Sequence, residues 1–324
     1  MTAEPAAEER WIWVPFEVDK KFDGQRVDQF LCRRLAGYSR SQVQKMLASA
    51  RVVKDGRPVK AHARVRSGQK VEIAYRRRPE SPPSPEIRIP SLFEDEHYLV
   101  IDKPANVLSH PTDKIVLNTV LSILRTQRPD LPRLHLLHRL DRETSGVLAL
   151  AKHPGAARDW ARAMEKRRIQ KEYIALVRGT LTPWEGVMDW PIGRQGGAIR
   201  VRQWINVPGA VPAVTRYKVE KIFAPHGTLV RAFPHTGRLH QIRVHFAALG
   251  HPLWGDPLYT GEGEIYRKMV DRKMTPGDRE SLGFPRVALH ASALAFDHPV
   301  TRESLRVESP LPPDMREAVA AAAA

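Results

Sequence analysis

His138-Arg139-Leu140-Asp141-Arg142-Glu143-Thr144-Ser145-Gly146 runs directly into Val147-Leu148-Ala149-Leu150-Ala151-Lys152, and these fifteen residues decide how the chain is read. The apolar run Val147 to Leu150 has the length and composition of a buried strand. Asp141 therefore lies in a polar loop that feeds a buried strand. A carboxylate at such an edge is partly desolvated and can act as nucleophile or general base. An aspartate in a turn can equally be structural, so the local pattern leaves both readings open.

Outward from this loop, strand and helix patterns mix. LFEDEHYLVIDKP (Leu92 to Pro104) reads as a strand entering a turn, and IVLNTVLSILRTQ (Ile115 to Gln127) and GAARDWARAMEKRR (Gly155 to Arg168) read as helices. KEYIALVRGTL (Lys171 to Leu181) reads as a strand. TRYKVEKIF (Thr215 to Phe223) and GTLVRAFP (Gly227 to Pro234) look like antiparallel partners. LHQIRVHFAALG puts Leu239, Ile242, Phe246 and Leu249 on one helical face, with Gly250 as terminator. Residues 182–214 and 260–285 read as long loops or insertions, and the terminal AVAAAAA as a frayed helix or disordered tail. The class is α+β.

PESPPSPEIRIP (Pro79 to Pro90) has five prolines in twelve positions and marks a linker. The expected organisation is an N-terminal extension over 1–20, a small domain over 21–78, the linker over 79–90, a large domain over 91–315 and an Ala-rich tail over 316–324. Charge divides the same way. The chain carries 52 Lys and Arg against 36 Asp and Glu, a net charge of +16, and residues 21–78 alone hold sixteen basic and four acidic side chains. Such a concentration is self-repulsive without a polyanionic partner.

Within that segment Val27, Phe30, Leu31 and Leu35, then Val43, Met46 and Leu47, recur at helical spacing. Ser39 and Gln42 have capping-box spacing. In RVVKDGRPV, Asp55-Gly56 predicts a tight turn between β-prone residues, and VRSGQKVEI adds a strand. WIWVPF (Trp11 to Phe16) is too short to span a membrane and reads as a strand on a domain surface. No run approaches the ~18 apolar residues of a membrane span, and the acidic start MTAEPAAEER lacks the features of a secretion signal, so a cytoplasmic protein is expected. Cys32 is the single cysteine and reads as a small buried apolar residue.

The order helix, helix, strand, turn, strand, in GQRVDQFLCRRL, SRSQVQKMLASARVVKDGRPV and RVRSGQKVEI, resembles the S4 RNA-binding domain over Lys21 to Tyr75. Ala50 and Asp55 stand where that family often has Gly and Asn. Arg33, Arg34, Arg40, Lys45 and Arg51 lie where it presents charge to RNA, although each could equally be a solvated helix face. The nine residues from His138 to Gly146 resemble the catalytic loop of the RluA-type pseudouridine synthases. VIDKPANVLSHP (Val100 to Pro111), KEYIALVRG (Lys171 to Gly179), PHTGRLHQIRVHFAALGHPLWGD (Pro234 to Asp256) and LHASALAFDHP (Leu289 to Pro299) resemble that family's other motifs in the same order. Asn106 replaces a common Gly there, and Asn tolerates the same left-handed backbone.

The resemblance implies a catalytic domain with a mixed, largely antiparallel sheet beside the small S4-like domain, and isomerisation of uridine to pseudouridine in structured RNA. It makes Asp141 the catalytic carboxylate, Tyr173 a residue stacked on the base that helps remove the C5 proton, and Arg243 the ion-pair partner of Asp141. Arg139 is its candidate for filling the gap left by a flipped base, and Leu289 its apolar pocket wall. The expected partner is large-subunit ribosomal RNA, with transfer RNA second, and the chain is expected to act as a monomer without an obligatory protein partner or membrane. A non-catalytic RNA-binding or ribosome-assembly factor is the alternative from another class.

No cofactor is expected, because GxGxxG and GxxxxGK[ST] loops are both lacking. No metal is expected either. His235, His240 and His245 are spaced by five, which places successive side chains about 140° apart on a helix. Asp141 and Glu143 lie on one short loop, which does not establish positions on opposite faces of a sugar as a glycosidase pair needs.

Overall fold

The computed structural model describes residues 10–35, 40–49, 51–77, 86–112, 115, 117–131 and 133–323. The chain divides into two compact units between Ser81 and Pro82.

In the first unit, β1 (Arg10–Glu17) precedes α1 (Val27–Arg34), α2 (Arg40–Ala48), β2 (Val52–Lys54), β3 (Arg57–Pro58) and β4 (Lys70–Arg77). The strands form a sheet in the order β1-β4-β2-β3. Within the segment assigned above to an N-terminal extension, β1 is an edge strand that contains WIWVPF and pairs antiparallel with β4 along the strand's whole length. Asp55 and Gly56 both have positive φ (49° and 78°), as a tight hairpin turn requires. Val27, Phe30, Leu31 and Val43 bury the helices' apolar stripes against Val52, Val71 and Ile73 of the sheet. Cys32 is free and only partly buried at the margin of this core. Ser39 lies outside the described residues, as does the Gln42 side chain, and with them the capping box.

The second unit holds β5 (Ser91–Glu94), β6 (Tyr98–Lys103), α3 (Val120–Gln127), β7 (His135–Leu136), β8 (Ser145–Ala151), α4 (Pro154–Glu165) and β9 (Ile169–Arg178). It continues with β10 (Glu185–Asp189), β11 (Ile192–Arg194), β12 (Gln203–Ile205), β13 (Val214–Phe223), β14 (Gly227–Pro234) and α5 (Gln241–Ala248). The last elements are α6 (Glu264–Val270), α7 (Pro276–Leu282), β15 (Leu289–Asp297), β16 (Ser304–Glu308) and α8 (Pro313–Ala323). Eight strands run in the order β10-β13-β14-β9-β15-β8-β6-β5, with β16 beside β15 and β7 beside β8. Only β15 and β8 pair in parallel, so the sheet is mixed and largely antiparallel.

Every residue of β8 is buried, which explains its unbroken apolar run. Its first turn depends on Gly146. A Cβ there would stand 2.2 Å from the Ala291 carbonyl oxygen of β15, and φ is +106°. On α4, Ala156 and Trp160 are buried one turn apart, and Pro154 opens the helix while His153 Nδ1 accepts from the Ala156 amide.

Several expectations need correction. Leu92 to Pro104 is a hairpin of two strands, with Asp95 Oδ1 accepting from the His97 and Tyr98 amides at the turn. Residues 182–214 hold three short strands and 260–285 two helices; Met188, Ile192, Trp204, Ile205 and Tyr266 pack them onto neighbouring elements. The Ala-rich terminus is a helix whose Met315, Ala318, Val319 and Ala322 pack beside Leu176 and Phe223. Leu239 precedes α5 and is 48% exposed, so the buried apolar residues of that helix begin at Ile242.

Candidate active site

Four stretches far apart in sequence meet at one cavity of about 770 Å³ in the second unit, lined by Asp141, Tyr173, His240, Arg243 and Leu289 among others. Asp141 lies just before β8, Leu289 at the start of the adjacent β15 and Tyr173 on β9, the next strand beyond β15. Arg243 comes from the first turn of α5.

The Asp141 loop is pinned on both sides. Ser109 Oγ donates to the Leu140 carbonyl (2.8 Å) and accepts from the Leu140 amide (3.1 Å). Lys103, fully buried, donates to the carbonyls of Pro104, Val107 and Arg142 at 2.8, 2.8 and 3.1 Å. Burial draws its amine down to about 7, and the three carbonyls are the ligands an ammonium needs. Beyond it, Arg286 donates to the Glu143 carbonyl (3.0 Å), and Glu143 Oε2 accepts from the Val287 amide (2.8 Å). Glu143 is thereby a loop clamp. Asn106, with φ +65°, turns the Val100 to Pro111 stretch toward this loop, and its carbonyl accepts from Arg142 (3.2 Å).

Arg243 joins two carboxylates. Its Nη1 donates to Asp141 Oδ2 (2.9 Å), while Nε and Nη2 donate to Asp256 Oδ2 (2.7 Å) and Oδ1 (2.9 Å). The two-pronged contact to Asp256 fixes the guanidinium plane and leaves one nitrogen for Asp141. Asp256 is fully buried and also accepts from the Leu258 and Tyr259 amides. Burial opposes the charge on Arg243, yet Asp256 and then Asp141 keep it firmly cationic.

Asp141 retains 27% side-chain exposure, toward the cavity. Burial alone would raise its carboxyl; the Arg243 charge, then His240, the Arg243 hydrogen bond and Arg139, outweigh that and leave it below the usual carboxylate range. It is ionised at neutral pH. Tyr173 is buried, and burial followed by the Asp141 charge raises its phenol well above the usual value. Arg139 is exposed at the cavity and Leu289 forms an apolar part of its wall.

In the first unit Arg33, Lys45 and Arg51 are exposed. Arg40, 62% exposed, stands 3.5 Å from the buried Asp28, which also holds Arg26. Arg34 instead packs its guanidinium on the Phe22 and Phe30 rings and pairs with Asp19.

The three spaced histidines do not converge: His235 is exposed, His240 faces the cavity, and His245 is buried between Thr215 Oγ1 and the Trp190 carbonyl. Among the described residues no group of three His, Cys, Asp or Glu side chains is placed to hold a metal ion.

Sequence reasoning missed Asp256, Tyr259, Lys103 and Ser109. All but Tyr259 lie inside stretches quoted above, but an aspartate after glycine reads as a turn residue, and nothing local marks a lysine as buried.

Known proteins resemble this chain over most of its length. Residues 97–248 match the family model for RNA pseudouridylate synthase and residues 25–71 that for the S4 domain. A protein of Vibrio parahaemolyticus named ribosomal large subunit pseudouridine synthase D is 36% identical, over 90% of this chain and 89% of its own. Escherichia coli ribosomal large subunit pseudouridine synthase C is 37% identical over 89% and 90%. The solved structure of human RNA pseudouridylate synthase domain containing 1 superposes with a TM-score of 0.55 at 27% identity, covering 76% of this chain and 98% of its own.

Proposed function

This chain belongs to the RNA pseudouridylate synthase family and is an RNA pseudouridine synthase; we propose that it acts on large-subunit ribosomal RNA with Asp141 as nucleophile. The observation that carries the assignment is the ionised, cavity-facing carboxylate of Asp141, held by an arginine whose other nitrogens are occupied by Asp256.

The geometry supports a sequence of roles. A stacked uridine must leave the helix to reach a cavity of this kind, and Arg139, exposed at its edge, is suited to fill the space left behind. The uracil ring then lies between Tyr173 and the apolar surface of Leu289. Asp141 attacks the nucleotide, the bond from C1′ to N1 breaks with its electron pair on the base, and the base turns to present C5. Tyr173 keeps its proton at neutral pH, so it serves as a stacking and hydrogen-bonding surface and not as the base. Among the described residues Asp141 is the only carboxylate lining the cavity; once the new C5–C1′ bond has released it, it takes the C5 proton, and N1 gains a proton to complete the neutral product.

We assign RNA contact to the exposed Arg33, Arg40, Lys45 and Arg51, whereas Arg34 is held in the first unit's own packing. We expect the enzyme to act as a monomer, and no helix among the described residues is long and apolar enough to cross a membrane. We place the enzyme in the cytoplasm, with its ribosomal substrate. The test is incubation of purified protein with transcripts of large-subunit ribosomal RNA and of transfer RNA, read by carbodiimide-dependent primer stops. Stops in the ribosomal transcript are expected. Stops confined to transfer RNA overturn the substrate, and stops in neither, with RNA bound, favour a binding factor.

A further inference from the structure

His240 is a residue the roles above leave unused. It precedes α5 in left-handed backbone (φ 57°, ψ 18°), a conformation rare for a residue with a side chain and one that fixes where its ring points. Its Nε2 stands 3.9 Å from Asp141 Oδ2, beyond hydrogen-bond reach, and has no hydrogen-bond partner among the described residues. Its Nδ1 is 3.1 Å from Tyr259 Oη.

Tyr259 decides the state of the ring. Its oxygen already accepts from the Gln203 backbone N–H (3.1 Å), and its ring packs under the Arg243 guanidinium at 5.3 Å. The phenol has one hydrogen, and donating it to Nδ1 is the arrangement in which Tyr259, its oxygen already an acceptor, also satisfies its own O–H. With Nδ1 accepting, a neutral imidazole carries its proton on Nε2, the atom that faces the cavity and Asp141.

We propose that His240 is a further catalytic residue, a neutral imidazole that Tyr259 locks as the Nε2–H tautomer and that donates this hydrogen to a carbonyl oxygen of the target uracil. This rests on the assignment of Asp141 as nucleophile. If attack is at C1′, the base departs with the electron pair of the C1′–N1 bond and negative charge spreads over N1 and the ring carbonyls. Attack at C6 makes the ring an enolate. In both courses a carbonyl oxygen gains charge, and a fixed N–H donor beside it lowers the barrier while keeping its own proton.

Neutrality is part of the design. Asp141, Asp256, Arg243 and Tyr259 are the titratable groups around the ring. Burial and then the Arg243 charge bring its value down to about 4, against the opposing pull of the two aspartates. An imidazolium would pair with Asp141 and blunt the nucleophile.

The first measurement uses the wild-type protein with ¹⁵N-labelled histidine, and the His240→Gln spectrum assigns the resonance. At pH 7 a bare Nδ1 and a protonated Nε2 are expected; an Nδ1–H ring or a doubly protonated one overturns the proposal. The second is single-turnover pseudouridine formation on a bound RNA. His240→Ala is expected to slow it by about 10² to 10³-fold with RNA affinity within about twofold, and His240→Gln, which keeps an N–H donor, to regain at least about tenfold of that. Rates for Ala within about threefold of wild type, or a Gln variant as slow as Ala, count against donation. Asp141→Asn is assayed in parallel: activity in that variant sinks the nucleophile assignment, whereas the tautomer result stands apart from it.

Discussion

The two units hold charge in opposite ways. In the first, Arg33 and Lys45 point into solvent, and even Arg40, near the buried Asp28, is 62% exposed. In the second, the Arg243 side chain is 9% exposed and commits three nitrogens to two carboxylates. A solvated cation acts on a polyanion through counterion release, so its neighbours can substitute for it. A buried fork has one set of partners, and moving any of them leaves a charge without compensation. Changes in the second unit should therefore be large and specific to position, and those in the first small and additive.

The largest expected effect is at Asp141. Asp141→Asn nearly keeps the shape and removes the charge, so turnover should fall by at least about 10⁴-fold while RNA still binds. Primer stops read the first and filter binding the second. Turnover within tenfold of wild type, with contaminating enzyme excluded, removes Asp141 from the nucleophile role.

Asp256 tests whether the fork is structural as well. Asp256→Ala leaves the Arg243 guanidinium buried with half its partners, and the expected loss is about 3–5 kcal/mol in urea unfolding of the second unit. An unchanged midpoint would mean that solvent or another group reaches Arg243, and the contrast between the units would lose its basis.

A smaller effect is a shift in pH dependence. Asp141 is held below the usual carboxylate range, so the activity that needs its charge is present above that lowered value and is lost only as pH falls through it. Arg243→Gln removes the chief opposing influence and lets burial raise the carboxyl. The acid limb of the residual single-turnover rate should move to higher pH. An unmoved limb shows that Arg243 positions Asp141 without setting its ionisation.

The smallest effect belongs to the first unit. Lys45→Gln should weaken RNA binding evenly across sequences and reduce the log-log salt slope by about 0.7 to 0.9, with turnover at saturating RNA unchanged. Arg34→Gln sharpens the contrast inside the same unit, since its packing on Phe22 and Phe30 predicts a change in stability and little in slope. If Lys45→Gln leaves the slope alone and Arg34→Gln alters it, the RNA face of this unit has been drawn on the wrong side.

Local chemistry made much of this legible in the sequence. The turn at Asp55-Gly56, the helices over Val27 and Val43, the buried strand after Gly146 and the left-handed Asn106 all follow from short-range sterics and periodicity. Where apolar residues were sparse and Gly, Pro and Arg frequent, as in 182–214, short strands stabilised by packing on α5 and Tyr259 read as loop.

Sequence by itself determined the family, the mixed sheet with its separate basic unit, and the candidacy of Asp141, Tyr173 and Arg243, because these lie in contiguous motifs whose residue types are set by neighbours in the chain. Tertiary structure alone decided how their charges are disposed. Asp141 and Arg243 are 102 residues apart in sequence, and Asp256, Lys103, Ser109 and Tyr259 take their roles from groups brought to them from elsewhere in the chain. Whether a carboxylate is solvated, clamped or poised depends on that approach, since the energy of a charge is fixed by its burial and by the direction of its few hydrogen bonds.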